Sequence, residues 1–539
     1  MPPESQPCRL HAGEAPANLI FDPMLRPFSA LFLVLLASPG GTQDPRPAPE
    51  PAEGEELPPR EGRAQDPQLP AEDTLRVLEE APVGATPGAP TLSLEAALAR
   101  AFEANFALLS SADAVSGARI RESATRSLWY PRVTPGYLVN PDDTSILMNA
   151  TQRLPWTGGS LSALVTLRDS DLTVPELSHT GDLRLVLTQP LLRGFGPNAT
   201  YFDLRNSERA RVGQERQFDL ARQRLSVQVT AAFYNVIAQR QLVGVSRQSL
   251  LRSEKLKAAS EARLKVGLVS KLDVFRADLQ SAQTEEALVR SEAALQTALE
   301  QFRALLGLPA DDPLEPAAVA LPEPAGQEIE PLEVLVARAR EQRLDLVEVR
   351  DQVEDGRRAA SLAKQNLLPQ FDMNVGFVRS GFGSSYRQAL DGAQNRFEVY
   401  FNTTYPVDNA AAKASKAVAD LDLVARERSV RQRELDVEAE VRAAVRDLGR
   451  IQKSVELQKK GVEVAAQQLR LSTLRYQRGL ASNFDVVDAE GSLFLARSAL
   501  VGLLTSYQVA RAELLRATGA LDLSRPMLAS GLVLRGAIP

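Results

Sequence analysis

The chain has 539 residues, 24% of them charged and 44% hydrophobic, with a formal net charge of −6. That length exceeds one ordinary core and calls for several domains or one very elongated body. One cysteine (Cys8) and two histidines (His11 and His179) exclude disulfide frameworks, cysteine nucleophiles, iron–sulfur clusters and structural zinc, and five scattered methionines offer no thioether copper site. No metal and no cofactor is expected, and His179, in a loop-like segment, reads as a surface residue.

Residues 1–40 form an N-terminal extension and signal peptide. Met24 and Arg26 precede an apolar run from Phe28 to Ala37, then small residues, with cleavage expected between Ala37 and Thr42. The run is too short to span a bilayer, and no later stretch reaches about 18 apolar residues. Residues 41–90 hold eleven prolines and eleven acidic residues against four arginines, a net of −7. Such a segment buries too little apolar surface to fold and reads as a disordered linker. The rest of the chain is close to neutral, so no basic patch points to nucleic acid.

The strongest feature is an internal duplication. Leu94-Glu95 with Ala99-Arg100-Ala101 recur as Leu332-Glu333 with Ala337-Arg338-Ala339, an offset of 238. Arg263, Gly267, Leu268, Ser270 and Asp273 recur as Arg475, Gly479, Leu480, Ser482 and Asp485, an offset of 212. The difference means that the first unit, 91–308, is longer than the second, 332–521. A Pro-rich connector (309–331) joins them and a tail (522–539) follows. Each unit reads as a helix (94–129; 332–367), strands (131–190; 369–406), a very long helix (198–266; 410–478) and a second long helix (270–307; 482–519).

The long helices carry coiled-coil seams. Val441, Leu448, Val455, Val462 and Leu469 fall seven apart, as do Val229, Val236, Val243 and Leu250. A 69-residue helix is about 100 Å long, enough for two shorter helices to lie end to end along it. That arithmetic describes a tube wall. The segments between helices alternate with period two: Phe397, Val399, Phe401 and Thr403 against Arg396, Glu398, Tyr400 and Asn402, with similar patterns in 371–377, 182–188 and 160–167. A soluble half-buried sheet gives the same pattern. In a secreted chain with no globular core nearby, membrane strands fit better, and few strands per chain require other subunits to close a barrel. Ser145–Arg153 and Ser160–Leu167 around Trp156-Thr157-Gly158-Gly159 suggest an extra hairpin, inside or outside that barrel.

Each long helix ends at Gly267 or Gly479, a left-handed cap, followed by Ser270 or Ser482 with Asp273 or Asp485 three residues on. Capping is the simplest role for these aspartates. Asp488 lies one turn beyond Asp485 on the same face, too deep for a cap. In a symmetric oligomer the two positions make stacked carboxylate rings that attract cations.

With these features the chain resembles the TolC-like outer-membrane efflux protein family over about 94–521. The resemblance rests on the duplicated unit, Leu92-Ser93-Leu94-Glu95-Ala96-Ala97-Leu98, Gln189-Pro190-Leu191, and the turns Val266-Gly267-Leu268 and Arg478-Gly479-Leu480. It implies a mainly α fold with a membrane β-barrel, in which a homotrimer shares the barrel and builds a periplasmic coiled-coil tunnel. It implies outer-membrane lipid, a periplasmic adaptor and an inner-membrane pump as partners. It also matches Asp485 and Asp488 to the pore constriction, Tyr476 and Asp273 to gate contacts, and Val266, Gly267, Leu268, Gly479 and Leu480 to the adaptor-docking tips. The family's gate arginine falls on Ala481, with Lys271 or Arg478 as replacements, and its usual four strands per chain leave the extra hairpin unassigned. The expected function is passive exit in small-molecule efflux. Type I protein secretion is the alternative on the same fold, and a periplasmic coiled-coil scaffold or adaptor the alternative of another class. No nucleophile–base pair, metal cluster or phosphate loop suggests an enzyme.

Overall fold

The computed structural model of the chain describes residues 90–141, 143–170, 179–317, 320–324 and 329–521. The expected leader, the linker up to residue 89 and the tail lie outside the described residues. In chain order the first half comprises β1 (Thr91–Leu92), α1 (Leu94–Ala104), α2 (Phe106–Ser127), β2 (Arg132–Val139), β3 (Asp143–Arg153), β4 (Ser160–Ser170), β5 (His179–Pro190), the single turn α3 (Pro197–Thr200), α4 (Phe202–Lys265) and α5 (Lys271–Leu305). The connector holds β6 (Glu315–Pro316). The second half comprises α6 (Leu332–Gln342), α7 (Leu344–Gln365), β7 (Gln370–Gly383), α8 (Tyr386–Asp391), β8 (Gln394–Thr404), α9 (Ala410–Gln477) and α10 (Asn483–Ala517).

Helices α4 and α9 have 64 and 68 residues, hence lengths of about 96 and 102 Å. Shorter helices run antiparallel along each. Arg126 and Arg119 of α2 pair with Glu208 and Glu215 at 3.0 and 2.9 Å. Further along α4, Arg247 pairs with Glu292 of α5 at 3.2 Å. The heptad positions Val229, Val236, Val243, Val441, Leu448 and Val455 are buried, while Leu250, Val462 and Leu469 are half-buried. One helix among the described residues, α10, is long and apolar enough to cross a membrane by length and composition. It packs along α9 and α4 instead, and its apolarity belongs to that seam.

The single helices expected over 94–129 and 332–367 are each broken once. The breaks fall at Asn105 (ψ 120°) and Arg343 (ψ 119°), 238 residues apart. Tertiary hydrogen bonds explain them: Asn105 Nδ2 donates to Leu305 O at 3.0 Å and Arg343 Nη1 to Ala517 O at 3.3 Å. Each break therefore satisfies the last carbonyl of α5 or α10, which has no partner inside its own helix. Periodicity carries no sign of such a contact. The connector is also more structured than its prolines suggest. β6 pairs in parallel with β1, and Arg240 of α4 donates to Pro316 O at 2.7 Å and forms a buried ion pair with Glu315.

β2, β3, β4, β5, β7 and β8 form one antiparallel sheet in that order. The extra hairpin is thus part of the sheet, and the first half contributes four strands to the second half's two. His179 is not a loop residue. It opens β5, with its ring edge-on to Tyr386 at 4.7 Å and its Nε2 3.6 Å from Asp169.

Candidate functional site: an inverted sheet and a two-loop tip

The register sorts the six strands into two faces. One transverse row reads Val133, Ala150, Ala163, Leu185, Phe377 and Phe397. The neighbouring row, on the other face, reads Arg132, Thr151, Ser162, Val186, Gly376 and Glu398. Burial runs opposite to a soluble sheet: apolar Phe397 and Phe401 are 69% and 59% exposed, whereas polar Asp372 and Asn374 on the other face are 8% and 7% exposed. In water this would leave a broad apolar patch uncovered. In lipid it is the order of a barrel wall, apolar outside and polar within.

The far ends of the long helices form a tip of two matching loops. Gly267 and Gly479 both have φ +75°, a conformation that only glycine adopts without a Cβ penalty. Leu268 N donates to Arg263 O at 2.9 Å and Leu480 N to Arg475 O at 2.8 Å, the six-to-one bond of a Schellman cap. The turn leaves Val266, Leu268 and Leu480 exposed at the apex. Ser270 and Ser482 then open α5 and α10 with reciprocal capping boxes to Asp273 and Asp485. The backbone N–H and hydroxyl of Ser482 hold the Asp485 carboxyl below its ordinary range. Asp488 is exposed one turn further on.

A cleft of about 310 Å³ lies between the loops, lined by Arg263, Asp273, Tyr476 and Asn483 among others. Tyr476 is buried, and its hydroxyl lies 3.1 Å from Ser260 Oγ. Arg263 stands over the Tyr476 ring at 4.4 Å and donates to Tyr476 O at 2.7 Å and Gln477 O at 3.1 Å. Asn483, 1% exposed, donates to Asp273 O at 2.8 Å. The structure thus brings Tyr476 and Asp273 into one cleft but gives them different partners. The Asp273 carboxylate serves Ser270 and lies 4.0 Å from Arg276. With Ala481 in the cleft wall, the cation over the tyrosine is Arg263. Sequence reasoning passed over Arg263 and Asn483. The recurrence of Arg263 as Arg475 was the available signal. Among the described residues no group of three or more His, Cys, Asp or Glu could hold a metal.

Residues 335–520 match the outer membrane efflux protein family. The match spans 186 of the 539 residues and lies wholly in the second half of the chain. That family serves transport across the bacterial outer membrane, not catalysis. No curated protein matches the chain. Among solved structures, the outer membrane protein VceC from Vibrio cholerae is 16% identical at a TM-score of 0.62, covering 79% of this chain and 96% of its own. The Campylobacter jejuni CmeC outer membrane channel is 14% identical at 0.61, covering 82% and 91%. The open state of the Neisseria gonorrhoeae MtrE outer membrane channel is 15% identical at 0.57, covering 79% and 88%. At these identities the likeness establishes the fold, and it extends the efflux-protein architecture over the first half as well.

Proposed function

We propose that three copies of this chain close one β-barrel in the outer membrane and one helical tunnel in the periplasm, forming the passive exit duct of a small-molecule efflux system. The inverted sheet carries the proposal. Among the described residues only α8 packs on its apolar face, over the end that holds Gly181 and Gly381, while Val133, Met148, Phe397 and Phe401 stay exposed, and its terminal strands β2 and β8 have no outer neighbours. Six strands is an even number, so β8 of one copy meets β2 of the next in antiparallel sense and the ring closes without an edge. The helices leave matching surfaces: Leu272, Phe275 and Leu279 form an exposed stripe on α5, and Leu457, Val464 and Leu471 form one on α9. A duplicated ancestral unit accounts for the paired breaks and paired tip loops.

In this assembly Asp485 and Asp488 ring the constriction, and Tyr476 and Asp273 belong to the coil contacts that hold it closed. The exposed apex of Val266, Gly267, Leu268, Gly479 and Leu480 receives a periplasmic adaptor, and an inner-membrane pump supplies the energy. Planar-bilayer recording of the purified protein tests the reading. Long-lived, cation-preferring conductance steps, blocked by multivalent cations from the tip side, are expected. A folded preparation that stays soluble without detergent and never inserts would replace the duct with a periplasmic scaffold.

A further inference from the structure

The β3–β4 hairpin makes the sheet of one chain six strands wide, where the resemblance leads one to expect four. Either the hairpin is wall, or it is an appendage folded beside a narrower barrel. Three observations favour wall. The pairing is continuous: β3 pairs with β2 along eight residues, and β4 with β5 along ten. The faces are continuous as well: Ile146, Met148 and Ala150 of β3, and Ala163, Val165 and Leu167 of β4, fall in the apolar rows of their neighbours, while Ser145, Asn149, Ser162 and Thr166 fall in the polar rows. A hairpin lying outside the membrane has no reason to keep its apolar side in register with lipid-facing residues over two strands. Finally, the inner turn is seated. Gln189 Nε2 donates to Thr157 O at 3.1 Å, and Trp156 meets Tyr201 edge-on at 6.2 Å. At Gly158 (φ +78°) an added Cβ would come within 2.4 Å of Gly194 O.

We infer that the hairpin is a lipid-facing part of the barrel wall. On the trimeric reading proposed above, on which the number rests, the barrel then has eighteen strands. Strands about 4.8 Å apart and tilted about 40° each take up about 6.3 Å of circumference. Eighteen strands therefore enclose a backbone diameter of about 36 Å, against about 24 Å for twelve. The cross-section more than doubles.

Single-cysteine spin labelling, in a Cys8→Ser background, tests both levels. Met148→Cys and Val165→Cys in the hairpin, and Val375→Cys and Val399→Cys in the strands outside it, should all be accessible to oxygen in lipid and protected from a water-soluble nickel relaxant. Asn149→Cys and Thr166→Cys should show the reverse. Water access at positions 148 and 165 alone overturns the wall assignment. Water access at 375 and 399 as well overturns the barrel reading itself. Leu185→Cys, one label per subunit, then measures width by dipolar distances. Three symmetric sites lie about 31 Å apart on an eighteen-stranded barrel and about 21 Å apart on a twelve-stranded one. A variant lacking residues 141–177 still joins β2 to β5 antiparallel, so its distance should fall by about 10 Å relative to the parent. A parent distance near the smaller value, or no shortening on deletion, overturns the wide barrel. If the deletion variant does not fold, the parent's distance and accessibilities decide.

Discussion

Arg263→Ala should open the tip. Arg263 leaves the last turn of α4 and reaches the last turn of α9, so it ties the ends of the two coils together. The guanidinium contributes a cation–π contact of about 1 kcal/mol in this half-buried setting, and each of its two hydrogen bonds to main-chain carbonyls contributes about 1 kcal/mol or slightly more. If opening separates the loops, all three are lost together, and removing them shifts the closed-to-open ratio by about 3 kcal/mol, or roughly 150-fold. Tyr476→Phe keeps the ring and loses only the bond to Ser260, a change of about 1 kcal/mol or fivefold. Arg263→Lys keeps the charge over the ring but not the fork, and should fall between them. Single-channel recording reads the order as the fraction of time spent in the high-conductance state. An Arg263→Ala channel as closed as the parent, or a Tyr476→Phe channel as open as Arg263→Ala, would refute the latch.

Asp488→Asn should lower cation preference more than Asp485→Asn in reversal-potential measurements, because Asp485 is held by Ser482 while Asp488 faces solvent. Asp485→Asn should in addition loosen the start of α10 through its capping box, visible as faster amide exchange there. Asp345→Asn should cost about 3–5 kcal/mol in thermal or denaturant unfolding, because it strips Arg343, a buried cation, of one of its two carboxylate partners. Burial alone would raise the Asp345 pKa, but hydrogen bonds from Arg343 and Arg433 outweigh it and hold the carboxyl well below the ordinary range. This stabilisation is present above the unfolded-state pKa, about 4, and is lost as pH falls further, so the acid limb of the parent's stability profile should flatten in Asp345→Asn. Val375→Arg, on the apolar face, should cost about 2–4 kcal/mol at mid-bilayer depth and abolish heat-modifiable trimer, whereas Thr188→Arg on the polar face should be tolerated.

What was legible in the sequence follows from how each feature is encoded. The seams and the sheet faces are periodic, so Val229 to Val243 and Phe397 to Phe401 announce themselves within a short window. The tip caps are local grammar: a glycine, then serine, then aspartate three residues on. The features that went unread are contacts between distant residues whose own surroundings are unremarkable. Asn105 breaks a helix because Leu305 needs a donor two hundred residues away, and Arg343 does the same for Ala517. Arg263 looks like one more basic residue in a helix's last turn until α9 delivers a tyrosine beneath it.

The hairpin shows the other limit. Its two strands alternate clearly enough to be found, but alternation gives each strand two faces without saying which way either points. Only the register, pairing Met148 with Val165 and Ala163 with Leu185, puts their apolar sides on the same surface as Phe377 and Phe397. A slip of one residue at the β4–β5 pairing would turn the hairpin's apolar side into the lumen and expose its serines and threonines to lipid. The agreement of face across five successive pairings therefore says more about where this segment lies than the strand pattern of any one segment does. It argues that the longer first half of the chain was fitted to the wall as a pair of strands, which is the smallest insertion that keeps a closed antiparallel barrel closed.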